Sequence, residues 1–228
     1  MPIDDFEHDT FVAFADISGF KQLVRQGDPA KLALNHFYKA GYGILGSSST
    51  LPRRPVEGLF VSDCAVLFST KTDDPIECLW SLLSQVGLLN RRMLEGDYML
   101  TTSIAYGRFR YSSCIEFRGI EKNQLSGHAY LDAFLDKERG RPKLSPGQVR
   151  ICRDGLPEPV KEALGQRSSP FERVEETPKH FYYYWMVNDP HDIAPFKDAY
   201  SNAHDLKYRG FLHALRRARD GVQSPAVE

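Results

Sequence analysis

Two aspartates separated by 47 residues are the strongest candidates for chemistry in this sequence. Asp16 ends the apolar run at residues 11–15, and Asp63 lies between the apolar runs at 58–61 and 64–69, a pattern typical of a hairpin tip. If the two strands are neighbours in one sheet, both carboxylates reach the same end of it. Carboxylate oxygens are preferred ligands of Mg²⁺ and Mn²⁺, whose remaining positions go to water and phosphate. The pair predicts a divalent-cation site for a phosphate-bearing ligand, although each aspartate alone also fits an ordinary turn residue.

The turn that follows Asp16 adds backbone donors to this site. We predict phosphate contacts at Ile17, Ser18, Gly19 and Phe20, because amides that open a helix can hold phosphate oxygens. A glycine in this turn lets a phosphate approach closely, since no Cβ intervenes.

Hydrophobic patterning predicts the elements that position these residues. The predicted strands cover residues 11–17, 58–61, 64–69, 100–111, 149–152 and 181–187, and the predicted helices cover residues 21–25, 29–42, 75–95, 129–135 and 195–221. The order begins β-α-ββ-α-β, which resembles the split βαββαβ motif. We therefore predict an α+β fold with a ferredoxin-like βαββαβ core, a mainly antiparallel sheet with helices on one face, and a C-terminal helical extension. The predicted domains are a catalytic domain at 1–190 and the extension at 191–228.

Composition narrows the function classes. The 228 residues include 29 Lys and Arg against 30 Asp and Glu, so the formal net charge of -1 gives no basic field for nucleic acid or an anionic membrane. No apolar run approaches the roughly 18 residues that a membrane span needs. The first five residues lack the basic and apolar regions of a signal peptide. We therefore expect a cytoplasmic protein that binds neither nucleic acid nor membrane.

Three segments resemble the class III nucleotidyl cyclases. Residues 14–20, FADISGF, look like that family's first metal motif, in which Asp-hydrophobic-x-Gly-Phe leaves the first strand. Ser62-Asp63 matches the family's Gly-Asp hairpin, and residues 103–107 resemble the following strand with its glycine. The resemblance covers roughly residues 9–190. It implies the class III cyclase core, two Mn²⁺ or Mg²⁺ ions per site held by Asp16, Asp63 and the Ile17 carbonyl, and a homodimer with sites at the interface.

The departures from that family concern the base and the transition state. Purine cyclases carry a base-reading Lys where Leu59 stands and a polar base reader where Gln124 stands, and their transition-state Asn and Arg fall at about Leu131 and Leu135. The chain keeps the two metal-binding aspartates but not the residues that recognise a purine base. In this combination it resembles the bacterial pyrimidine cyclases of the Pycsar antiphage systems. That resemblance implies conversion of UTP, favoured over CTP, to a cyclic monophosphate read by a separate effector. Leu59, Phe60 and Gln124 are the predicted base pocket, and the same Leu59 and Phe60 also fit ordinary strand core.

Two divalent ions balance the roughly four negative charges of a triphosphate but not also the two carboxylates that bind them, so cationic side chains must assist. The candidates are Arg108, Arg110, Lys137 and Arg139, with Arg141 or Lys143 in the following basic loop; each also fits a solvated surface charge. Two alternative functions stay open at this point. One is a purine cyclase, which would consume ATP or GTP, and the other is an inactive cyclase-fold module that binds a nucleotide without turnover.

Overall fold

The computed structural model describes residues 3–47, 55–71, 73–117, 120–202 and 207–220. Its strands are β1 (Phe6–Ile17), β2 (Val56–Val61), β3 (Cys64–Ser69), β4 (Leu100–Phe117), β5 (Ile120–Ser126), β6 (Val149–Cys152), β7 (Val174–Glu176) and β8 (His180–Tyr183). Its helices are α1 (Phe20–Gln26), α2 (Asp28–Ser47), α3 (Pro75–Glu95), α4 (His128–Arg139), α5 (Glu158–Gly165), α6 (Ile193–Asn202) and α7 (Lys207–Asp220), with a 3-10 turn at Pro190–Asp192. None of these helices is both long and apolar enough to cross a bilayer.

The strands form one sheet in the order β2-β3-β1-β4-β6-β8-β7, with β5 paired to β4. β4 and β6 run parallel, and the other pairs among the described strands are antiparallel. β1 is an interior strand of the sheet, because it pairs with β3 along one side and with β4 along the other. The predicted α+β fold with a mainly antiparallel sheet is confirmed.

Helices cover both faces of the sheet, so the prediction of helices on one face is wrong. Phe11, Ala13 and Ile17 of β1 belong to the larger core, which includes side chains of α2 and α3. The alternate residues Val12 and Phe14 face a second core that includes α4. α4 packs on this face through its alanines, which are fully buried. The consecutive apolar residues of β1 therefore reflect a strand that is buried on both sides.

α3 has the predicted boundaries. Asp74 caps its first turn by accepting a hydrogen bond from the Ile76 amide at 2.8 Å, and Pro75 occupies the first helical position, where no amide is required. The predicted apolar stripe of α3 is buried, at Leu79, Leu82, Leu83, Val86 and Leu89.

Several elements differ from the sequence-based expectation. β5, α5 and β7 were not predicted, because they are short or polar and carry little hydrophobic patterning. The strand predicted at 181–187 ends at Tyr183, after which the chain turns so that the indole Nε1 of Trp185 donates to the Gly147 carbonyl at 2.7 Å. The single helix predicted at 195–221 is two helices, α6 and α7; residues 203–206 and 221 lie outside the described part of the chain.

The C-terminal helices share the main core. Phe196 and Tyr200 of α6 and Phe211 and Leu215 of α7 belong to the same buried cluster as the sheet residues. The Tyr200 hydroxyl also donates to the Pro146 carbonyl at 2.6 Å. The division at residue 190 stays a prediction.

Candidate functional site

The hairpin and β1 bring Asp16 and Asp63 to the same end of the sheet. Asp16 lies opposite Cys64 in the β1–β3 register, and the Ile17 amide donates to the Asp63 carbonyl at 3.0 Å. Both aspartates line one open cavity of about 410 Å³, which we call the aspartate cavity. The convergence that the hairpin pattern predicts is therefore present in the fold.

Two residues with left-handed backbone conformations shape the turns of the aspartate cavity. Gly19 has a φ of 76° where the chain leaves β1 and enters α1, a conformation that glycine adopts without steric cost. Ser62 has a φ of 55° at the hairpin tip, where a side chain costs about 1 kcal/mol or more. The Ser62 hydroxyl donates to an Asp63 carboxylate oxygen at 3.2 Å.

The backbone amides predicted to hold phosphate are partly engaged. The Ile17 amide donates to the Asp63 carbonyl, and the Ser18 amide donates to the Met99 carbonyl at 2.8 Å. These two bonds fix the turn, and among the residues that the structure describes the amides of Gly19 and Phe20 make no such backbone bond. The Ser18 hydroxyl, which is buried, has no hydrogen-bond partner among the described residues.

α4 contributes a lysine to Asp16. Val12, Phe14 and Asp16 share one face of β1, and α4 packs on that face, with the rings of Phe14 and Phe134 5.2 Å apart. The last turn of α4 places the Lys137 ammonium against one Asp16 carboxylate oxygen, while the Thr101 hydroxyl donates to the other. The Asp16 and Lys137 side chains are only 16% and 14% exposed, so this pair is largely removed from water.

The pKa values of Asp16 and Lys137 are both raised in the folded protein, for different reasons. Burial raises the pKa of Asp16 above its ordinary 3.8, with a further contribution from the neighbouring Asp63 carboxylate, and the bonds from Lys137 and Thr101 do not offset the rise. Burial alone would lower the pKa of Lys137, but its bonds to Asp16 and Glu138 outweigh burial and raise it. Lys137 is therefore held as a cation, while Asp16 lacks part of the positive charge that a buried carboxylate needs.

The donors in this cavity fit hard divalent cations. The cavity is lined by three acids and three lysines, namely Asp16, Asp63, Glu138, Lys21, Lys137 and Lys143. Their formal charges cancel, so the lining alone would not attract a triphosphate, which carries about four negative charges. Within the described part of the chain, no group of three or more His, Cys, Asp or Glu side chains is arranged so that it could hold a metal ion. Two carboxylates and a carbonyl thus leave several coordination positions for water and phosphate, as Mg²⁺ requires.

The predicted base-pocket residues do not line the aspartate cavity. Leu59 packs against the core on the α4 face, whereas the Phe60 ring packs against Phe37 and Tyr42 of α2, at 5.1 and 5.5 Å between centroids. Gln124 is exposed on β5, opposite Ser112 of β4. Their roles in base recognition stay predictions, and Leu59 and Phe60 face opposite sides of the sheet.

The candidate cations fall into three groups. Lys137 and Lys143 line the aspartate cavity. Arg108 and Arg110 lie near Glu7 at the other end of β1, at 3.1 and 3.8 Å between charged atoms. Glu7 is nine residues from Asp16, which at about 3.3 Å per residue is about 30 Å. Arg139 and Arg141 line a second cavity on the other side of α4.

A buried ionic cluster holds the last turn of α4. Asp136 accepts from the Ser103 hydroxyl and, at 2.7 Å, from Nε of Arg150, and Nε2 of His180 lies 2.8 Å from its other oxygen. Arg150 is completely buried. Burial opposes ionisation of Asp136, but the bonds from His180, Ser103 and Arg150 prevail and lower its pKa to about 2.

Sequence reasoning missed Thr101, Glu138 and this cluster. Thr101 lies opposite Asp16 in the β1–β4 register, so a correct strand pairing would have identified it. Glu138 follows Lys137 directly and accepts from its ammonium at 2.8 Å. The Asp136–Arg150 contact joins a helix to a strand and leaves no periodic signal in the sequence.

Comparison with known proteins identifies the fold. No protein-family model matches the chain, and no curated protein matches its sequence. Solved structures of the same fold include adenylyl and guanylyl cyclase domains, and the chain has the class III nucleotide cyclase fold.

Three of these structures illustrate the likeness. The adenylyl cyclase CyaB from P. aeruginosa is 12% identical, with 79% of this chain and 95% of that chain covered and a TM-score of 0.55. The guanylate cyclase domain of RhGC from Catenaria anguillulae, in complex with GTP, is 10% identical, with 80% and 98% covered and a TM-score of 0.55. A class III adenylyl cyclase-like ATP-binding protein from Pseudomonas aeruginosa is 13% identical, with 72% and 38% covered and a TM-score of 0.52.

Proposed function

We propose that this protein is a metal-dependent nucleotidyl cyclase that converts a pyrimidine nucleoside triphosphate, UTP in preference to CTP, to its 3′,5′-cyclic monophosphate and pyrophosphate. The observation that carries the proposal is the meeting of Asp16 and Asp63 in one cavity beside Lys137, whose side chain is only 14% exposed. The class III cyclase fold supports it, because that fold is shared with domains that are adenylyl and guanylyl cyclases.

The residues of the aspartate cavity have separate roles in the proposed reaction. Asp16, Asp63 and the Ile17 carbonyl would hold two Mg²⁺ or Mn²⁺ ions, which when bound neutralise the triphosphate and acidify the ribose 3′-hydroxyl. Lys137 and Thr101 each contact one oxygen of Asp16 and so orient its carboxylate in the cavity. The attacking 3′-oxygen forms a bond to the α-phosphorus as the bond to pyrophosphate breaks.

Lysines at the rim complete the charge balance. Lys137 and Lys143 line the cavity and add fixed positive charge for the departing pyrophosphate. Because the protein supplies mainly positioning and charge, loss of one metal-binding carboxylate removes most of the rate.

The proposed preference for a pyrimidine base is based on the lack of purine-recognition residues at positions 59 and 124. A leucine at position 59 offers no hydrogen bond to a purine, and Gln124 is exposed on β5. Since Leu59 and Gln124 lie outside the aspartate cavity of one chain, base contacts would come from a second copy in a homodimer. In this proposal the product serves as a second messenger in bacterial antiphage defence, made in the cytoplasm and read by a separate effector.

The test is incubation of the pure protein with each of the four nucleoside triphosphates and Mn²⁺, with products identified by mass. The proposal expects cyclic UMP or cyclic CMP together with pyrophosphate, and a loss of at least about 100-fold for Asp63→Asn. Asp9→Asn, an exposed aspartate of β1, is the matched control and should keep full activity. Cyclic AMP or cyclic GMP as the main product would replace the pyrimidine assignment by a purine one, and normal activity of Asp63→Asn would overturn the metal assignment.

A nucleotide-binding module without turnover is the second candidate. Leu131 and Leu135 occupy the positions where the resemblance implies transition-state Asn and Arg, and Leu131 is 47% exposed with no polar atom to offer. One structure of the same fold is described as an adenylyl cyclase-like ATP-binding protein. Saturable binding of a nucleotide with Mn²⁺ and no cyclic product over many hours would favour this function.

A further inference from the structure

A further pocket lies at the same end of the sheet as the aspartate cavity, between α6 and the strands β6 and β8. β6 runs parallel to β4, with Val149 opposite Thr102, and the same Val149 lies opposite Tyr183 where β8 ends. The pocket has a volume of about 140 Å³, and we call it the α6 pocket. The residues that line it include Gln148, Tyr182, Tyr184, Met186, Phe196 and Tyr200.

One short segment separates the α6 pocket from the aspartate cavity. Pro146 lines the aspartate cavity, and the next two residues, Gly147 and Gln148, line the α6 pocket. The Gly147 amide donates to the Leu100 carbonyl at 2.7 Å, and the Tyr200 hydroxyl donates to the Pro146 carbonyl at 2.6 Å. This wall is therefore fixed by hydrogen bonds to β4 and to α6 before any ligand binds.

Aromatic rings line the α6 pocket and contact one another. The Phe196 ring lies 6.1 Å from the Tyr184 ring, close to perpendicular, and 5.4 Å from the Tyr200 ring. Aromatic rings attract further rings edge to face or offset, and a methionine sulfur such as that of Met186 also packs well on a ring. An apolar cavity of about 150 Å³ holds a single benzene-sized ring. Size and lining thus favour a ligand with one planar ring.

The charge at the rim of the α6 pocket is already balanced. Lys197 is the single charged residue among the described residues of the lining. Its ammonium donates to Glu175 at 2.7 Å, and the Tyr184 hydroxyl donates to the same carboxylate oxygen at 3.1 Å. The pocket therefore favours a neutral ligand over a phosphate or a carboxylate.

Two polar groups of the lining remain available to a ligand. Oε1 of Gln148 accepts from the Ser145 amide at 2.8 Å, but its Nε2 donates to no residue that the structure describes. The Tyr182 hydroxyl likewise has no hydrogen-bond partner in the described part of the chain. Both groups are donors, so they suit a ring that carries an oxygen acceptor.

We infer that the α6 pocket is a binding site for a small, neutral, planar ring with an oxygen substituent, either a phenol or a pyrimidine base of the uracil kind. The ring would pack against the aromatic side chains of the lining, and its oxygen would accept from Gln148 or Tyr182. Neither the aspartates nor a metal ion takes part, so the inference does not rest on the proposed cyclase reaction.

The experiment is NMR of the protein with ¹³C-labelled methionine methyl groups, in EDTA, with phenol and uracil as separate probes. Met186 lines the α6 pocket, whereas the Met99 carbonyl accepts from Ser18 beside the aspartate cavity. At least one probe should shift the Met186 signal saturably below about 20 mM, a few times above the millimolar affinity expected of so small a ligand, and leave the Met99 signal unchanged. Tighter binding of phenol assigns the pocket to a carbocyclic ring, and tighter binding of uracil assigns it to a pyrimidine base.

Two pairs of variants locate the probe in the α6 pocket. Ser201→Phe adds bulk at an exposed position of the lining and should weaken binding at least tenfold, whereas Asn202→Phe adds the same bulk outside the lining and should stay within about twofold. Gln148→Glu/Tyr182→Phe keeps the acceptor for Ser145 but removes both donors, and should weaken binding at least about threefold. Gln26→Glu/Tyr42→Phe makes the same changes at exposed positions of α1 and α2 and should have no effect. Unchanged unfolding curves should confirm that each variant is folded.

Four results would overturn the inference. One is the absence of a saturable Met186 shift with either probe, and a second is equal weakening by Ser201→Phe and Asn202→Phe. A third is undiminished affinity in the variant without the two donors. A shift of the Met99 signal in place of the Met186 signal would assign the probe to the aspartate cavity and also overturn the inference, without bearing on catalysis.

Discussion

Neutralising Asp136 should destabilise the fold more than any other single conservative change near the candidate site. Its carboxylate is 12% exposed and faces Arg150, which is completely buried. Asp136→Asn keeps the shape of the side chain but removes the counter-charge of that guanidinium. It also replaces an acceptor of the Ser103 and Arg150 bonds by an amide that can accept at one oxygen only.

Two routes give the size of the effect. Lowering the pKa of Asp136 from 3.8 to about 2 corresponds to about 2.4 kcal/mol in favour of the ionised form, at 1.36 kcal/mol per pKa unit. Removing one partner of a buried ion pair costs about 3–5 kcal/mol, because the remaining charge stays buried without compensation. Asp136→Asn removes both the negative charge and one of the two acceptor oxygens. We therefore expect it to lower the free energy of unfolding by about 3–4 kcal/mol.

Urea unfolding at several pH values is the assay. The stabilisation by ionised Asp136 is fully present above pH 4 and is lost as the pH falls through about 2, because its pKa is lowered in the folded protein. The difference in unfolding free energy between wild type and Asp136→Asn should therefore be constant from pH 5 to 7 and shrink below pH 4. Asp132→Asn, one turn earlier on α4 and exposed, should change stability by less than about 0.5 kcal/mol.

Two results would refute this reasoning. One is a loss below about 1 kcal/mol at pH 7, which would mean that Arg150 is not dependent on the carboxylate. The other is a difference that stays constant down to pH 2.5. Asp136→Asn/Arg150→Met gives an internal check, because removing both charges should restore part of the stability that the single substitution loses.

Three further predictions concern the aspartate cavity. Asp16→Asn should change the unfolding free energy at pH 7 by less than about 1 kcal/mol in urea titrations. Burial raises the pKa of Asp16, so its ionised form lowers the stability of the folded protein above that pKa. A loss as large as that expected for Asp136→Asn would contradict this prediction. Lys137→Met should tighten Mn²⁺ binding to the nucleotide-free protein about tenfold in calorimetry, because the Lys137 ammonium competes with the ion for Asp16. Lys21 lines the cavity elsewhere, so Lys21→Met should change Mn²⁺ affinity less than threefold. Equal effects of the two substitutions would show that Lys137 does not compete with the ion. Ser62→Gly should raise the unfolding free energy by roughly 0.5–1 kcal/mol, since glycine relieves the positive φ at the hairpin tip; any destabilisation would contradict that account.

Local patterns account for what could be predicted. The apolar run before Asp16 and the paired runs around Asp63 each specify a strand by their own composition. A two-residue turn fixes the hairpin, and pairing of β3 with β1 then carries both carboxylates to one end of the sheet. The meeting of these side chains thus depends on two short-range patterns and a single strand pairing.

The remaining features depend on contacts between distant segments. Lys137 reaches Asp16 across 121 residues because α4 packs on β1 through alanines. Helix α4 itself could be predicted, but its small buried side chains do not indicate which strand it packs against. The polar composition of β5 hides a strand that only the long β4 supports. The placement of Phe60 away from Leu59 could have been inferred, however, because successive strand residues face opposite sides of a sheet.

The most direct test of the account is the position of the metal. Crystals grown with Mn²⁺ and a non-hydrolysable UTP analogue would show Mn²⁺ in an anomalous difference map. We predict a peak within about 2.1 Å of carboxylate oxygens from both Asp16 and Asp63. An ion bound to one of these residues alone, or to neither while the analogue is in place, would contradict it.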